Sequence, residues 1–252
     1  MISNNSDRDW EKLGRVKPYF AVLTQSEFLP GNLDEGNRKM FFASGEEHVA
    51  RVLETTERLW GQGGRARALD FGSGVGRIVI PLARRWERVI GVDISRPMIA
   101  EAEKNCRDAG LGNVEFVRSS DELADLRGPF DFIHSVIVFQ HIPPARGRRI
   151  MERLVSLLAP GGVGALHFTY HIPGSSFWRA FSVLRQRFQP VNWAVNLLKR
   201  RSLTYPMTQM NAYDLPDLFR FLQGVGVGDF HAEFTDHGGY LGVVLYFRKP
   251  IG

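Results

Sequence analysis

Cysteine is nearly missing from this chain: Cys106 is the only one in 252 residues. A single thiol excludes an internal disulfide framework and a zinc cluster, and it fits a reducing compartment. No uninterrupted apolar run is long enough to cross a bilayer. The first residues, Met1-Ile2-Ser3-Asn4-Asn5-Ser6-Asp7-Arg8-Asp9, are polar and contain no apolar h-region. No signal peptide is therefore expected, and the cytoplasm is the expected compartment. Charge of one sign is also scarce, since 32 basic against 27 acidic residues leaves only +5. That excess suits an acidic substrate or a membrane surface but falls short of a nucleic-acid footprint. Internal repeats and low-complexity tracts are lacking. No His/carboxylate cluster has a tight metal-ligand spacing, so no metal is expected. What remains is ordinary, with 44% hydrophobic and 23% charged residues, enough to bury the core of one α/β domain.

Strand and helix patterns alternate through most of the chain, which argues for a parallel sheet covered on both faces. Residues 1–45 are mixed and dotted with aromatics (Trp10, Tyr19, Phe20, Phe28, Phe41 and Phe42), as expected of an ordered cap. Val49, Val52, Leu53, Leu59 and Trp60 recur at helical spacing over 45–60, and Gly61-Gln62-Gly63-Gly64 stops that helix. Strands are then expected at 66–71, 88–94, 114–118, 130–138 and 163–170. Helices are expected at 76–86, from the Ser95 N-cap with Pro97 to about 109, and at 145–159, the last ended by Pro160-Gly161-Gly162. Residues 171–210 break the rhythm. Phe177, Phe181, Leu184 and Phe188 form one helical stripe, followed by Trp193, Val195, Leu197 and Leu198, with Arg179, Arg185, Arg187, Lys199, Arg200 and Arg201 around them. A helix over 211–226 and two strands, 227–235 and 240–248, joined by Asp236-His237-Gly238-Gly239, close the chain.

The segment Ala68-Leu69-Asp70-Phe71-Gly72-Ser73-Gly74-Val75-Gly76-Arg77 carries the chemistry. It reads as a buried strand, three alternating glycines and the start of a helix, which makes a small-molecule crevice at the carboxyl edge of a parallel sheet. Glycine permits positive φ and lets a ligand approach the backbone closely. A dinucleotide fingerprint needs glycine at position 77, where this chain has Arg77. An NAD-type oxidoreductase is disfavoured on that ground. Asp93 ends the second strand 23 residues after Asp70, where a carboxylate accepts the hydroxyl hydrogens of a ribose diol. Gln140 and His141 emerge beyond the fourth strand, beside the crevice.

The Asp-x-Gly-x-Gly-x-Gly spacing resembles the first motif of class I S-adenosylmethionine-dependent methyltransferases. The segments 130–144 and 157–162 resemble later motifs of that family in the right order. The resemblance covers residues 45–170 and, more weakly, 211–249. It implies a doubly wound, mostly parallel seven-stranded Rossmann-like sheet whose last strand is antiparallel, with an N-terminal helical cap and a helical insertion after strand five. It also implies one domain, divided into a cap (1–45), a cofactor-binding core (46–170), a lid (171–210) and a C-terminal helix and hairpin (211–252). The implied cofactor is S-adenosyl-L-methionine. Asp70 would sense its ammonium, while Gly72, Ser73, Gly74 and Gly76 would bring backbone against the methionine and ribose. Asp93 would hold the ribose, Ile94 would pack on the adenine, and Ser135 would touch the methionyl part through its backbone. Relatives often show Gly-Asp after strand three. Here Ser119-Ser120-Asp121 stands instead, so the adenine contact falls to Asp121 or Ser120.

A sulfonium methyl is already activated, so the protein must mainly align the acceptor and exclude water. For a hydroxyl acceptor a general base helps, and His141 is the first candidate, ahead of His167 and His171. His134 sits mid-strand and reads as a packed residue. The expected acceptor is a small molecule or metabolite, acidic or amphiphilic, methylated at oxygen, with 171–210 setting specificity. A lipid-linked acceptor and peripheral membrane contact fit the basic amphipathic insertion. Two rivals remain. One is a nucleic-acid methyltransferase, against which stand the missing Asn/Asp-Pro-Pro-aromatic tetrad and the missing loop cysteine. The other is a non-catalytic module that binds a partner protein through the aromatic cap.

Overall fold

The computed structural model of the chain describes residues 5–174, 184–185, 188–198, 205–206 and 208–251. Seven strands form one sheet: β1 (Arg67–Phe71), β2 (Arg88–Asp93), β3 (Val114–Arg118), β4 (Phe130–Ser135), β5 (Leu158–His171), β6 (Phe230–Asp236) and β7 (Leu241–Arg248). Their spatial order is β3-β2-β1-β4-β5-β7-β6. The first five run parallel, and β7 lies antiparallel between β5 and β6. The strand order reverses between β1 and β4, so the crevice of a doubly wound sheet falls at their carboxyl ends. The expected fold is therefore the observed one.

Strand alternation sends the two halves of the core to opposite faces. Leu69 and Phe71 of β1, with Ile133, Leu166, Phe168, Val243 and Leu245, pack against α6 (Pro144–Ser156) and α8 (Leu215–Gly224). Ala68, Phe132, Ala165, Val244 and Tyr246 face α3 (Glu35–Trp60) and α4 (Val79–Ala83). A third cluster (Tyr19, Phe28, Phe41, Val75 and Met98) fixes the cap to α5 (Arg96–Asp108). The cap adds α1 (Asn5–Val16) and α2 (Pro18–Val22).

Several boundaries differ from the sequence expectation. The helix expected from 45 begins ten residues earlier, at Glu35, because Asp34 caps it by accepting the Asn37 N–H at 2.7 Å. The helix expected over 76–86 narrows to α4, because Gly76 adopts positive φ and Arg84 already ends the run. The final helix starts only at Leu215, where Asp214 caps it. Pro160-Gly161-Gly162 does not stop a helix. α6 ends at Ser156, and these residues lie within β5, where Gly161 N–H donates to Lys249 O and Lys249 N–H to Gly162 O. Of the insertion, α7 (Gln189–Leu198) is described. Phe177, Phe181, Arg179, Arg187, Lys199, Arg200 and Arg201 lie outside the described residues.

Candidate active site

The glycine loop turns tightly out of β1. Gly72, Gly74 and Gly76 have φ of 81°, 52° and 89°, a region that L side chains avoid. A Cβ at Gly72 would lie 2.1 Å from Val138 Cγ2, and one at Gly74 would lie 2.7 Å from Val22 Cγ2. The loop is thus pressed between the β4–α6 connection and α2, and only glycine fits. Gly72 and Ser73 N–H both donate to Val92 O, at 2.7 and 2.9 Å, which ties the loop to β2.

Asp93 completes that tie. Its Oδ2 accepts from Gly74 N–H at 2.9 Å and its Oδ1 from Ser95 N–H at 2.8 Å. Burial nevertheless pushes its carboxyl up to about 6, against the pull of those N–H groups. Each carboxylate oxygen keeps a further lone pair, so the group can still accept two hydroxyls. Ser73 Oγ is buried in the same loop without a hydrogen-bond partner. An unsatisfied buried hydroxyl is costly, and one set among close-packed glycines beside Asp93 suits a polar ligand. The residues present therefore fit a nucleoside with a ribose diol. Ile94 is half-buried beside them, and its carbonyl accepts from Arg118 Nε.

Asp70 and Ser135 lie lower. Ser135 is buried, and its hydroxyl donates to Phe71 O at 2.9 Å. Asp70 is buried and pairs through Oδ1 with His134 Nδ1 at 2.8 Å. His134 Nε2 in turn meets His48 Nε2 of α3 at 2.9 Å. Nδ1–H of His134 donates to the Asp70 carboxylate, and the two Nε2 atoms share one hydrogen between the rings. Arg77, also buried, donates to Ser44 Oγ at 3.4 Å, and burial lowers it to about 10 although Asp70 pulls the other way. His134 is a packed residue, as the sequence implied, and its partner is Asp70.

His141 follows β4 in a 3-10 turn, Phe139–His141. Nδ1–H donates to Gln209 O at 2.7 Å, which leaves Nε2 as the unprotonated nitrogen. Gln140 Nε2 approaches that Nε2 at 3.2 Å, its amide oriented by Thr169 Oγ, which donates to Gln140 Oε1 at 2.8 Å. Burial holds the imidazole down, at about 4, so it is neutral at pH 7. His167 is buried with Nε2 at 2.9 Å from Thr235 Oγ1, and burial lowers it to about 3. His171, at the end of β5, is exposed.

An ordered N-terminal cap was expected, but not its contacts over the crevice. α1 lies across the crevice from the β4–α6 connection to the start of α5. Ser6 Oγ donates to His141 O, and the Trp10 ring sits 4.9 Å from the His141 ring. Glu11 Oε2 accepts the Arg96 N–H at 3.0 Å. Arg146 of α6 bridges Asp7 at 2.9 Å and Asp121 at 2.6 Å. Asp121, one of the two residues expected near an adenine amino group, is paired through Oδ1 with Arg146. Ser120 is half-buried, with its carbonyl accepting from Leu123 N–H. Trp10, the one aromatic of α1, marked that helix beforehand.

A doubly wound sheet of this order, with a glycine loop after β1 and an acid ending β2, defines the class I methyltransferase fold. Residues 68–162 match the family model described as a methyltransferase domain, and this segment is a domain of the S-adenosylmethionine-dependent class. The solved structure of magnesium protoporphyrin IX methyltransferase from Synechocystis with bound SAM superposes with TM-score 0.60, at 19% identity, over 99% of each chain. Among curated proteins, ubiquinone biosynthesis O-methyltransferase of Methylococcus capsulatus is 30% identical over 38% of this chain and 40% of its own length. The tRNA 5-carboxymethoxyuridine methyltransferase of Escherichia coli is 30% identical over 59% of this chain and 57% of its own. The chain therefore spans about two-fifths to three-fifths of these relatives' lengths.

Proposed function

We propose that the protein transfers a methyl group from S-adenosylmethionine to a small-molecule or metabolite acceptor, at a hydroxyl oxygen. The observation that carries this reading is the carboxylate of Asp93, bonded to both Gly74 and Ser95 N–H at the sheet's carboxyl edge. Gly72, Ser73, Gly74, Gly76, Asp93 and Ile94 would hold the nucleoside, with Asp70 and Ser135 beneath the amino-acid end. When bound, the cofactor supplies a methyl group already activated for displacement. The chain's share is to align the acceptor, exclude water and remove one proton.

α1 excludes water by covering the crevice. His141 removes the proton: the acceptor hydroxyl replaces Gln140 Nε2 at His141 Nε2 and gives its hydrogen there as the O–C bond forms. An imidazole held near 4 is a weak base in the resting site. Proton uptake nevertheless leaves the site's net charge unchanged, because the positive charge brought by the cofactor is lost in the same step. His141→Ala is expected to keep cofactor affinity and to lose turnover by roughly 10²–10⁴-fold. Turnover equal to the wild type would remove His141 from this role.

The tRNA methyltransferase among the relatives favours a second reading, in which the acceptor is RNA. Incubating the protein with methyl-labelled cofactor and separate RNA and small-molecule fractions of a cell extract distinguishes the two. Label is expected in the small-molecule fraction. Label confined to RNA, with binding that falls steeply with salt, would replace the first reading with the second.

A further inference from the structure

We propose that His48 of α3 is a positioning residue: acting through His134, it fixes the Asp70 carboxylate that meets the cofactor's ammonium group. The role rests on the cofactor reading given above, and it falls to a residue outside the segment that matches the family model, residues 68–162. A continuous hydrogen-bonded line joins three side chains from three elements. His134 Nδ1 of β4 lies 2.8 Å from Asp70 Oδ1 of β1, and His134 Nε2 lies 2.9 Å from His48 Nε2 of α3. Both ring nitrogens of His134 are thus engaged, so its ring cannot turn without breaking a bond at one end. The two imidazoles meet edge to face, with centroids 5.0 Å apart and planes at 74°.

α3 is seated so as to deliver that ring. Ser44, Gly45 and His48 share one helical face. A Cβ at Gly45 would lie 2.1 Å from Arg77 O, so the helix packs directly on the residue that follows the glycine loop. Ser44 Oγ accepts from Arg77 Nη1 at 3.4 Å, and one turn on the same face sets His48 against His134. Burial first, then His134, Arg77, Arg51 and His167, hold the His48 imidazole down to about 2, so it is uncharged at pH 7. Packing alone does not account for the line. Apolar side chains of similar volume would fill the space at lower cost, because a buried carboxylate is expensive even when paired. Leu69 and Phe71, on the other face of β1, are apolar and packed in that way. Asp70 lies two residues before Gly72, at the carboxyl end of β1, where its charge suits an ammonium group bound above the strand. A carboxylate has about four acceptor sites, and His134 takes one of them.

Binding of two nucleosides to the full chain tests this. S-adenosylhomocysteine carries the ammonium group, whereas 5′-methylthioadenosine lacks the whole amino-acid end. His48→Leu is expected to weaken S-adenosylhomocysteine roughly tenfold and to leave 5′-methylthioadenosine at its wild-type affinity. His48→Gln, whose amide reaches the place of Nε2, is expected to restore the affinity for S-adenosylhomocysteine. Damage to the fold would weaken both compounds together, so the ratio of the two affinities separates positioning from packing. Should the leucine variant not fold, His48→Asn, polar but too short to reach His134, takes its place with the same expectation. Wild type that binds both compounds, with variants whose ratio equals its own or a glutamine variant no better than the leucine one, overturns the role of His48 and leaves the cofactor reading standing. Wild type that binds neither compound overturns both.

Discussion

The two faces of the one sheet near its carboxyl edge follow different rules. On the α6 side, Leu69, Phe71, Ile133, Leu166 and Phe168 meet side chains of the same kind, and Phe139 and Phe168 lie 4.5 Å apart. On the α3 side, at the same strand levels, stand Asp70, His134 and His167, reached by His48 and Arg77. Asp70 and His134 are even register partners across β1 and β4. The first face gains free energy from each buried side chain, roughly 1.5–3 kcal/mol apiece. The second places titratable groups where burial works against charge, which lowers stability unless every hydrogen bond is made. One face specifies the fold and the other is shaped for what binds above it.

Truncating the apolar face should break stability alone. Leu154→Ala, in α6 and 1% exposed, is expected to lose about 2–5 kcal/mol in urea unfolding, with cofactor affinity of the folded protein unchanged. On the polar face, His134→Leu strands the Asp70 carboxylate and is expected to cost about 3 kcal/mol. The double variant Asp70→Leu/His134→Leu should recover most of that stability yet bind the cofactor more weakly than the wild type. A double variant that is stable and binds normally would mean that the polar pair serves packing only. Asp93→Ala removes the bond from the glycine loop to β2, the local bond from Ser95 N–H and the acceptor for a diol, and is expected to weaken cofactor binding by roughly 10²-fold in calorimetry.

Acidification separates the faces by a smaller amount. Burial lowers His48, His141 and His167 far below the ordinary imidazole value, to about 2, 4 and 3. Below about pH 6.5 the unfolded chain takes up protons that the folded chain refuses, so stability is present above that pH and is lost as pH falls towards 4. The slope is up to ~1.4 kcal/mol per pH unit for each imidazole. Asp93, raised to about 6, works in the opposite direction below that pH, one group against three. Unfolding midpoints measured from pH 8 to pH 4 check the sign, and cofactor affinity should decline below about pH 6 as Asp93 takes its proton.

The apolar face could be read from the sequence because its signal is local. Periodicity marked strands β1 to β5, and alternating glycines marked the loop, since positive φ is a property of single residues. The polar face could be read only in part. Asp70, Asp93 and His141 stood out by position, but His48 pairs with His134 across 86 residues and Arg146 meets Asp7 across 139. No spacing rule spans such distances. The same holds for α1: an ordered N-terminal cap was expected, but not which residues it would meet, Arg146, Arg96 and His141. Pro160-Gly161-Gly162 misled because a glycine pair that stops helices also lets two strands approach closely, and here Gly162 lies against Phe130 O.

Isothermal titration of the wild-type chain with S-adenosylmethionine, S-adenosylhomocysteine and NAD addresses the glycine loop and Asp93 directly. Saturable binding of both sulfur nucleosides at one site per chain, with no heat from NAD, is the expected result. Binding of NAD with neither sulfur nucleoside bound would contradict the assignment of the crevice above β1 and β2.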